Sequence, residues 1–279
     1  MRNLLSAGLL RMWKSRLFQV LEVISAGYGL YIAFELYFDH GVNGYIHVLD
    51  DGLFNYVILE GILAAVFCSL FIGTEYSDGT IRNKIIVGHD RRSVYLSNLI
   101  SCCTAITVFA VTYLICYLVP GVILLGSFQE DVGLAILVFL GSIVLGWAYA
   151  AIYTLFSMLN QNKAAVAVVS ILLAFIFLFA GVTIRLKLGE PATFDANYYE
   201  TEDGEIEKTE GRENPSYLEG AERTFYQFLN DFLPGGQSVE LSGMTEQMHF
   251  SWKYPIYSFG IIILTSGCGL VLFRKKDLK

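Results

Sequence analysis

Apolar residues in this chain come mainly as six long blocks, at about 17–38, 53–73, 95–126, 133–159, 164–183 and 255–273, divided by short polar stretches. A helix crossing the hydrocarbon core of a bilayer needs ~20 mostly apolar residues. The blocks therefore predict six transmembrane helices in an all-α membrane protein. Pro120-Gly121 should kink or end the third. Gly126–Asp131 is the turn after it, and Asn160–Lys163 is a tight hairpin between the fourth and fifth.

Two other stretches show helical spacing. In residues 1–16, Leu5, Leu9, Met12 and Trp13 share one face, with Asn3, Arg11 and Lys14 opposite. This predicts a helix lying in the inner membrane interface; the alternative is an inward extension of the first span. The segment 184–254 is the one long polar excursion. Its first half, "DANYYETEDGEIEKTEGRENPS", reads as turns or a small hairpin. In its second half Ser216-Tyr-Leu-Glu219 has the capping-box pattern. Leu218, Ala221, Phe225, Phe228, Leu229 and Phe232 then recur until Pro234-Gly235-Gly236. This predicts an amphipathic helix over 217–233 that roofs the outer mouth, with Phe225, Phe228 and Phe232 facing the bundle. A sixth span of only about 19 residues, ~28 Å long, leaves little length above the bilayer and favours such a roof. The organisation is an interfacial helix (1–16), spans one to five (17–183), a small extracellular subdomain (184–254), and span six with a basic tail (255–279).

Composition agrees. The 279 residues are 54% hydrophobic and 16% charged, against about 25% charged in soluble domains. Charge then sets orientation. The N-terminus (Arg2, Arg11, Lys14, Arg16), the loop after span two (Arg82, Lys84, Arg91, Arg92), Lys163, and the tail (Arg274, Lys275, Lys276, Lys279) hold 13 of the 19 basic residues. The alternate short loops, 39–52 and 127–132, hold none and carry Asp39, Asp50, Asp51, Glu130 and Asp131. By the positive-inside rule both termini are cytoplasmic in a multi-pass cell-membrane protein. The net charge of −7 averages a basic inner face and an acidic outer one. The first apolar block is too long for a signal-peptide core and contains Glu22 and Glu35, so no cleavable signal is expected.

The five cysteines all lie in apolar blocks, and His40, His47, His89 and His249 are scattered. Neither a disulfide framework nor a metal site is expected. HExxH, GxSxG and GxxxxGK[ST] do not occur. No nucleotide-binding loop is present, so the chain is not expected to be an enzyme. Transport, signalling or scaffolding remain. Intramembrane carboxylates are functional candidates by default. Glu22 and Glu35 can snorkel to the two interfaces, whereas Glu60, about a third of the way into span two, is the candidate pathway residue; a structural, hydrogen-bonded role is its alternative.

The most informative polar stretch follows span two: "GTEYSDGTIRNKIIVGHDRRSVYLSN". Glu75 to Ile86 can form a short helix across the inner mouth, showing the apolar pair Ile81 and Ile85, with Gly79-Thr80 and Gly88 permitting turns around it. Glu75, Gly79, Thr80, Ile81, Arg82, Gly88 and Arg91 resemble the signature of the ABC-2 family of ABC-transporter permeases, although Gly88-His89 stand where many members have proline. The order of parts and the "G…FRKKDL" ending (Gly269, Phe273 to Leu278) are also similar. The resemblance implies a permease subunit paired with a second copy or paralogue, sitting among membrane lipids and binding no nucleic acid. Two cytoplasmic ABC ATPase subunits would hold the ATP and Mg and push on a cytoplasmic coupling helix between spans two and three. Its residues would be Glu75, Gly79, Thr80, Ile81, Arg82, Lys84 and Ile85. It also implies export of amphipathic or antimicrobial peptides, as in phenol-soluble-modulin or lantibiotic-type exporters. Export of polysaccharide, lipid or drug is the sibling reading, and a sensor or scaffold without transport is the reading from another class.

Overall fold

The computed structural model describes residues 2–43, 46–194, 198–200, 206–208, 211–243 and 249–277. Parts of the acidic stretch (195–197, 201–205 and 209–210) and Leu278 of the C-terminal motif lie outside the described residues.

The chain is all-helical, with six helices long and apolar enough to cross a membrane, the organisation of a multi-pass membrane protein. Helix α1 (Arg2–Lys14) is followed by α2 (Arg16–Asn43). Ser15 separates them: its Oγ accepts the Phe18 amide at 3.1 Å, an N-cap that starts a new helix. A 3-10 turn (Leu49–Gly52) leads into α3 (Tyr56–Ser77). Then come α4 (Thr80–Ile86), α5 (Arg91–Leu124), α6 (Val132–Leu159) and α7 (Lys163–Gly189). Helix α5 continues one turn past Pro120. Asp131 and Asn162 cap α6 and α7 by accepting amides of their first turns. Short strands β1 (Thr193–Phe194), β2 (Tyr198–Glu200), β3 (Ile206–Lys208) and β4 (Arg212–Glu213) pair as two antiparallel ladders, β1 with β4 and β2 with β3. The chain ends with α8 (Gly220–Phe232), α9 (Pro234–Ser242) and α10 (Lys253–Lys275).

Helix α2 packs on α5, α3 on α6 and α7, and α10 on α6, while α1 lies along α5. Loops expected on one side meet one another. At the acidic end the Gln129 amide donates to Asp50 Oδ2 at 2.9 Å, and at the basic end Lys163 Nζ donates to Thr74 Oγ1 at 2.9 Å.

Four expectations are corrected. The buried face of α1 is Leu4, Gly8 and Met12, while Trp13 is exposed and Arg11 turns inward. The capping box at Ser216–Glu219 does not form: α8 has no side-chain cap and starts at Gly220, whose φ is 54°. Pro234-Gly235-Gly236 does end α8, but Pro234 at once occupies the first turn of α9, where its missing N–H costs nothing. The expected roof face is turned inward only in part. Phe225 and Phe228 are 57% and 46% exposed, and α8 instead lays Tyr226, Leu229 and the following Leu233 on Ile184, Leu188 and Leu218. Half-buried Phe232 stacks on Phe228 at 5.5 Å, and both meet Tyr257 of α10 edge-on. The sixth span is not short, since α10 has 23 residues.

Sequence periodicity does not reveal α9. It is buried almost throughout among α3, α6 and α7. Its polar groups are matched one by one. Ser238 Oγ and Tyr149 Oη are 3.0 Å apart, Gln237 Oε1 accepts from Ser258 at 2.7 Å, and Gln237 Nε2 donates to the Asp231 carbonyl at 2.8 Å. Unmatched, these groups would each cost about 1–3 kcal/mol.

At the acidic end His47 bridges α2 and the 3-10 turn, with Nε2 2.7 Å from Asp39 Oδ2 and Nδ1 3.2 Å from Asp51 Oδ2. The hydrogen bond to Asp39 is the main cause raising the imidazole pKa. The stabilisation is therefore complete below the ordinary histidine value and is lost as pH rises through the raised one. Amide exchange of residues 48–52, corrected for intrinsic rates, is expected to quicken roughly 2- to 5-fold across that rise, as for a partly exposed ion pair. His47→Gln should abolish the pH dependence; its persistence in that variant would refute the assignment.

Candidate functional site

The end of α3 delivers Glu75 to the centre of the basic end, where its side chain is buried. Arg11 Nη1 of α1 donates to Oε1 at 3.0 Å, and Lys84 Nζ of α4 donates to the same oxygen. Asn98 Nδ2 of α5 donates to Oε2 at 2.9 Å, and Thr80 Oγ1 donates to the Glu75 carbonyl at 3.0 Å. One carboxylate thus ties four helices together. The Arg11 guanidinium also lies 3.7 Å above the Phe71 ring. Burial lowers the Arg11 pKa, opposed chiefly by the charge of Glu75.

Glu75 belongs to α3 and not to the short helix, which begins only at Thr80, after Gly79 takes the left-handed conformation (φ 68°). The expected display of Ile81 and Ile85 is also corrected. Ile81 is 1% exposed and Ile85 packs against the core, so the pair faces the bundle. Burying them seats α4, and the outward surface becomes Arg82, Ile86 (70% exposed) and Val87 (79%), ending at Gly88 (φ 99°). Two exposed β-branched residues at the tip of a clamped helix have no role in the described fold.

A second tie was not foreseen. Arg91, at the start of α5, donates through Nη1 to the carbonyls of Phe273 (3.2 Å), Arg274 (3.3 Å) and Lys276 at the end of α10. Cations are favoured at helix C-termini, where carbonyls lack intrahelical partners. Lys276 turns back to donate to Tyr76 Oη and the Met158 carbonyl, both at 3.0 Å, and burial pushes its pKa down to about 8. In the sequence both count toward the basic side of the chain, Arg91 also toward the ABC-2-like signature and Lys276 toward the C-terminal ending; the signal that could have separated them is their place at helix ends.

Glu60 sits far from this cluster, fifteen residues earlier on α3. It is buried, and neither carboxylate oxygen has a hydrogen-bond partner. The carboxylate lies against Gly146 of α6, where no side chain intervenes. Ser25, Tyr56, Ile106 and Phe109 line a cavity of about 10 Å³ beside it, about what one water requires. Among the described residues none donates a hydrogen bond to Glu60, as its structural alternative would need. Of the other span carboxylates, Glu35 is exposed and Glu22 half-buried. Among the predicted residues, then, Glu75, Thr80 and Lys84 converge, Ile81 and Ile85 seat the same helix, Gly79 shapes its start, and Arg82 faces away. Glu60 stands apart within the bundle, and Phe225, Phe228 and Phe232 lie on α8. No family model and no curated protein matches this sequence.

Proposed function

We propose that the chain is the transmembrane permease subunit of an ATP-driven exporter of the ABC-2 class, inserted in the cell membrane with both termini cytoplasmic. It would be paired with a second copy or paralogue and energised by two separate ABC ATPase subunits that carry ATP and Mg. The observation that carries this reading is α4: a two-turn helix fixed to three neighbours through Glu75, presenting an unpartnered apolar tip at Ile86 and Val87. A push on this tip passes through the Glu75 cluster into α1, α3 and α5 together, because the joint is a buried charged network and not a flexible loop. Glu60 places a buried carboxyl group within the bundle, and the family resemblance behind this reading extends to amphipathic, cationic peptides as the proposed cargo.

The test is Ile86→Asp with Val87→Asp. Both side chains are exposed, so insertion and thermal stability should be unchanged, whereas aspartate at buried Ile81 would disrupt the fold itself. The tagged full chain isolated from its native membranes is expected to bring down vanadate-sensitive ATPase activity, and the double variant to lose at least about tenfold of it, or ~1.4 kcal/mol. Undiminished activity in the variant would remove α4 as the coupling element. In the coupled preparation, stimulation by cationic amphipathic peptides that falls in Glu60→Gln would support peptide cargo; stimulation by lipid-linked sugars alone would reassign it.

A further inference from the structure

At the acidic end, α7, α8, α9 and the start of α10 line an open cavity of about 490 Å³, within the range of small-molecule sites. Its wall is almost wholly polar. Among the described residues Arg185, Arg223, Gln227, Asn230, Asp231, Glu240 and Lys253 line it, with Leu188 the one aliphatic side chain. Two of its three cations have carboxylate partners: Arg185 pairs with Glu240 at 3.3 Å and Lys253 with Asp231 at 3.0 Å. Arg223 is different. Its Nη2 donates to the Leu188 carbonyl at 3.2 Å, but its Nη1 is buried with no hydrogen-bond partner. Asn230 complements it. The residue is 4% exposed, its Nδ2 donates to Glu240 at 2.8 Å, and its buried Oδ1 accepts nothing. Arg223, Gln227 and Asn230 lie at i, i+4 and i+7, one face of α8. Arg223 and Asn230 thus both line the cavity with hydrogen-bonding capacity left unsatisfied, flanked by carboxylates.

Such a wall fits a ligand bearing an anionic acceptor and a hydrogen-bond donor, and its depth indicates the source. Arg185 and Leu188 are in the last turns of α7, and Lys253 and Tyr254 in the first turn of α10, so the cavity lies where two spans leave the hydrocarbon. Exposed aromatics surround that level: Phe225, Phe228 and Trp252. Aromatic residues concentrate at headgroup depth. We propose that this cavity binds the headgroup of a zwitterionic phospholipid of the phosphoethanolamine type. Arg223 receives the phosphate, Asn230 with Glu240 accepts from the ammonium, and the outward phenylalanines of α8 rest among the acyl chains. This is a site of the chain itself and does not depend on the transport reading.

The experiment uses the full chain in nanodiscs of phosphatidylcholine doped with phosphatidylethanolamine. A photoreactive benzoyl-phenylalanine is placed at Gln227, inside the cavity, or at Phe225, outside it, and the crosslinked lipid is identified by mass spectrometry. At position 227 phosphatidylethanolamine should be enriched at least about fivefold over its share of the bilayer, or ~1 kcal/mol; at 225 the bilayer ratio is expected. Arg223→Gln should return 227 to the bilayer ratio without changing the yield at 225, which monitors the fold. Soluble glycerophosphoethanolamine should compete at 227. Equal competition by inorganic phosphate would overturn the lipid assignment in favour of a free-phosphate site. Equal enrichment at 227 in Arg223→Gln, no enrichment in the unsubstituted protein, or displacement of lipid by an added amphipathic peptide that crosslinks in its place would each overturn the proposal.

Discussion

Glu75→Ala is expected to unlock the basic end of the bundle and to be among the most damaging single substitutions in the chain. The buried carboxylate is shared by Arg11, Lys84 and Asn98. Its removal leaves a half-buried guanidinium and an ammonium without their counter-charge and a buried amide without its acceptor. Deleting one partner of a buried ion pair costs about 3–5 kcal/mol, far more than the pair's net worth, because the stranded charge stays behind. Glu75→Gln keeps acceptor oxygen for part of the network and should cost less. Two measurements check this. Thermal unfolding in detergent should fall for Glu75→Ala by several times the shift for Arg82→Ala, whose side chain is exposed. Amide exchange in α1 and α4 should rise together, since both are held by the same oxygen. A Glu75→Ala protein as stable as Arg82→Ala, with α4 still protected, would show that apolar packing of Ile81 and Met12 holds these helices without the carboxylate.

The second large effect is expected from Gly235→Ala. A Cβ at position 235 would overlap the backbone carbonyl of Phe177 in α7, and one at Gly181 would overlap the Gly235 carbonyl from the other side. These are backbone atoms, which cannot rotate away as a side-chain end can. In membrane bundles such small-residue contacts let helices approach closely enough for dispersion to hold them. Overpacking typically costs about 1–3 kcal/mol and occasionally more; here the upper part of that range is expected, because α9 must leave its slot among α3, α6 and α7. A cysteine at buried Ser238 should become reactive to thiol reagents in Gly235→Ala and stay protected in Gly260→Ala, where nothing lies within 4 Å of the added methyl. Protection in both variants would mean that α7 yields without releasing α9.

The six spans were legible because their signal is local. Length and apolarity are properties of a continuous stretch, and the observed helices depart from the predicted blocks by a few residues at most ends, with α2 and α7 running five or six further. The turns at Gly79 and Gly88 belong with them, since left-handed backbone depends on the residue itself. Glu60 could be singled out for the same reason, as a carboxylate is conspicuous in an apolar run. Its lack of a hydrogen-bond partner among the described residues could not, because that depends on Gly146 and Ile106 arriving from α6 and α5.

What only the tertiary structure decided is which face of each short amphipathic element is turned inward. Around α8, α4 and α1, apolar residues occur on more than one side, so composition allows several rotations. On α8 the phenylalanines form the more conspicuous stripe, yet α7 and α9 take up Tyr226, Leu229 and Asn230 instead, and Phe225 and Phe228 are left at the surface. On α4 the carboxylate of Glu75 draws Lys84 inward, carrying Ile81 and Ile85 with it and exposing Ile86 and Val87. On α1 the same carboxylate turns Arg11 away from the polar face that a helical wheel assigns it. Helix α9 was hidden altogether, since Pro-Gly-Gly followed by Gln, Ser and Glu reads as a polar loop. It becomes a buried helix because Tyr149, Ser258, Asn230 and Arg185, distant in sequence, meet its polar groups, and because glycine at 181 and 235 lets two backbones touch.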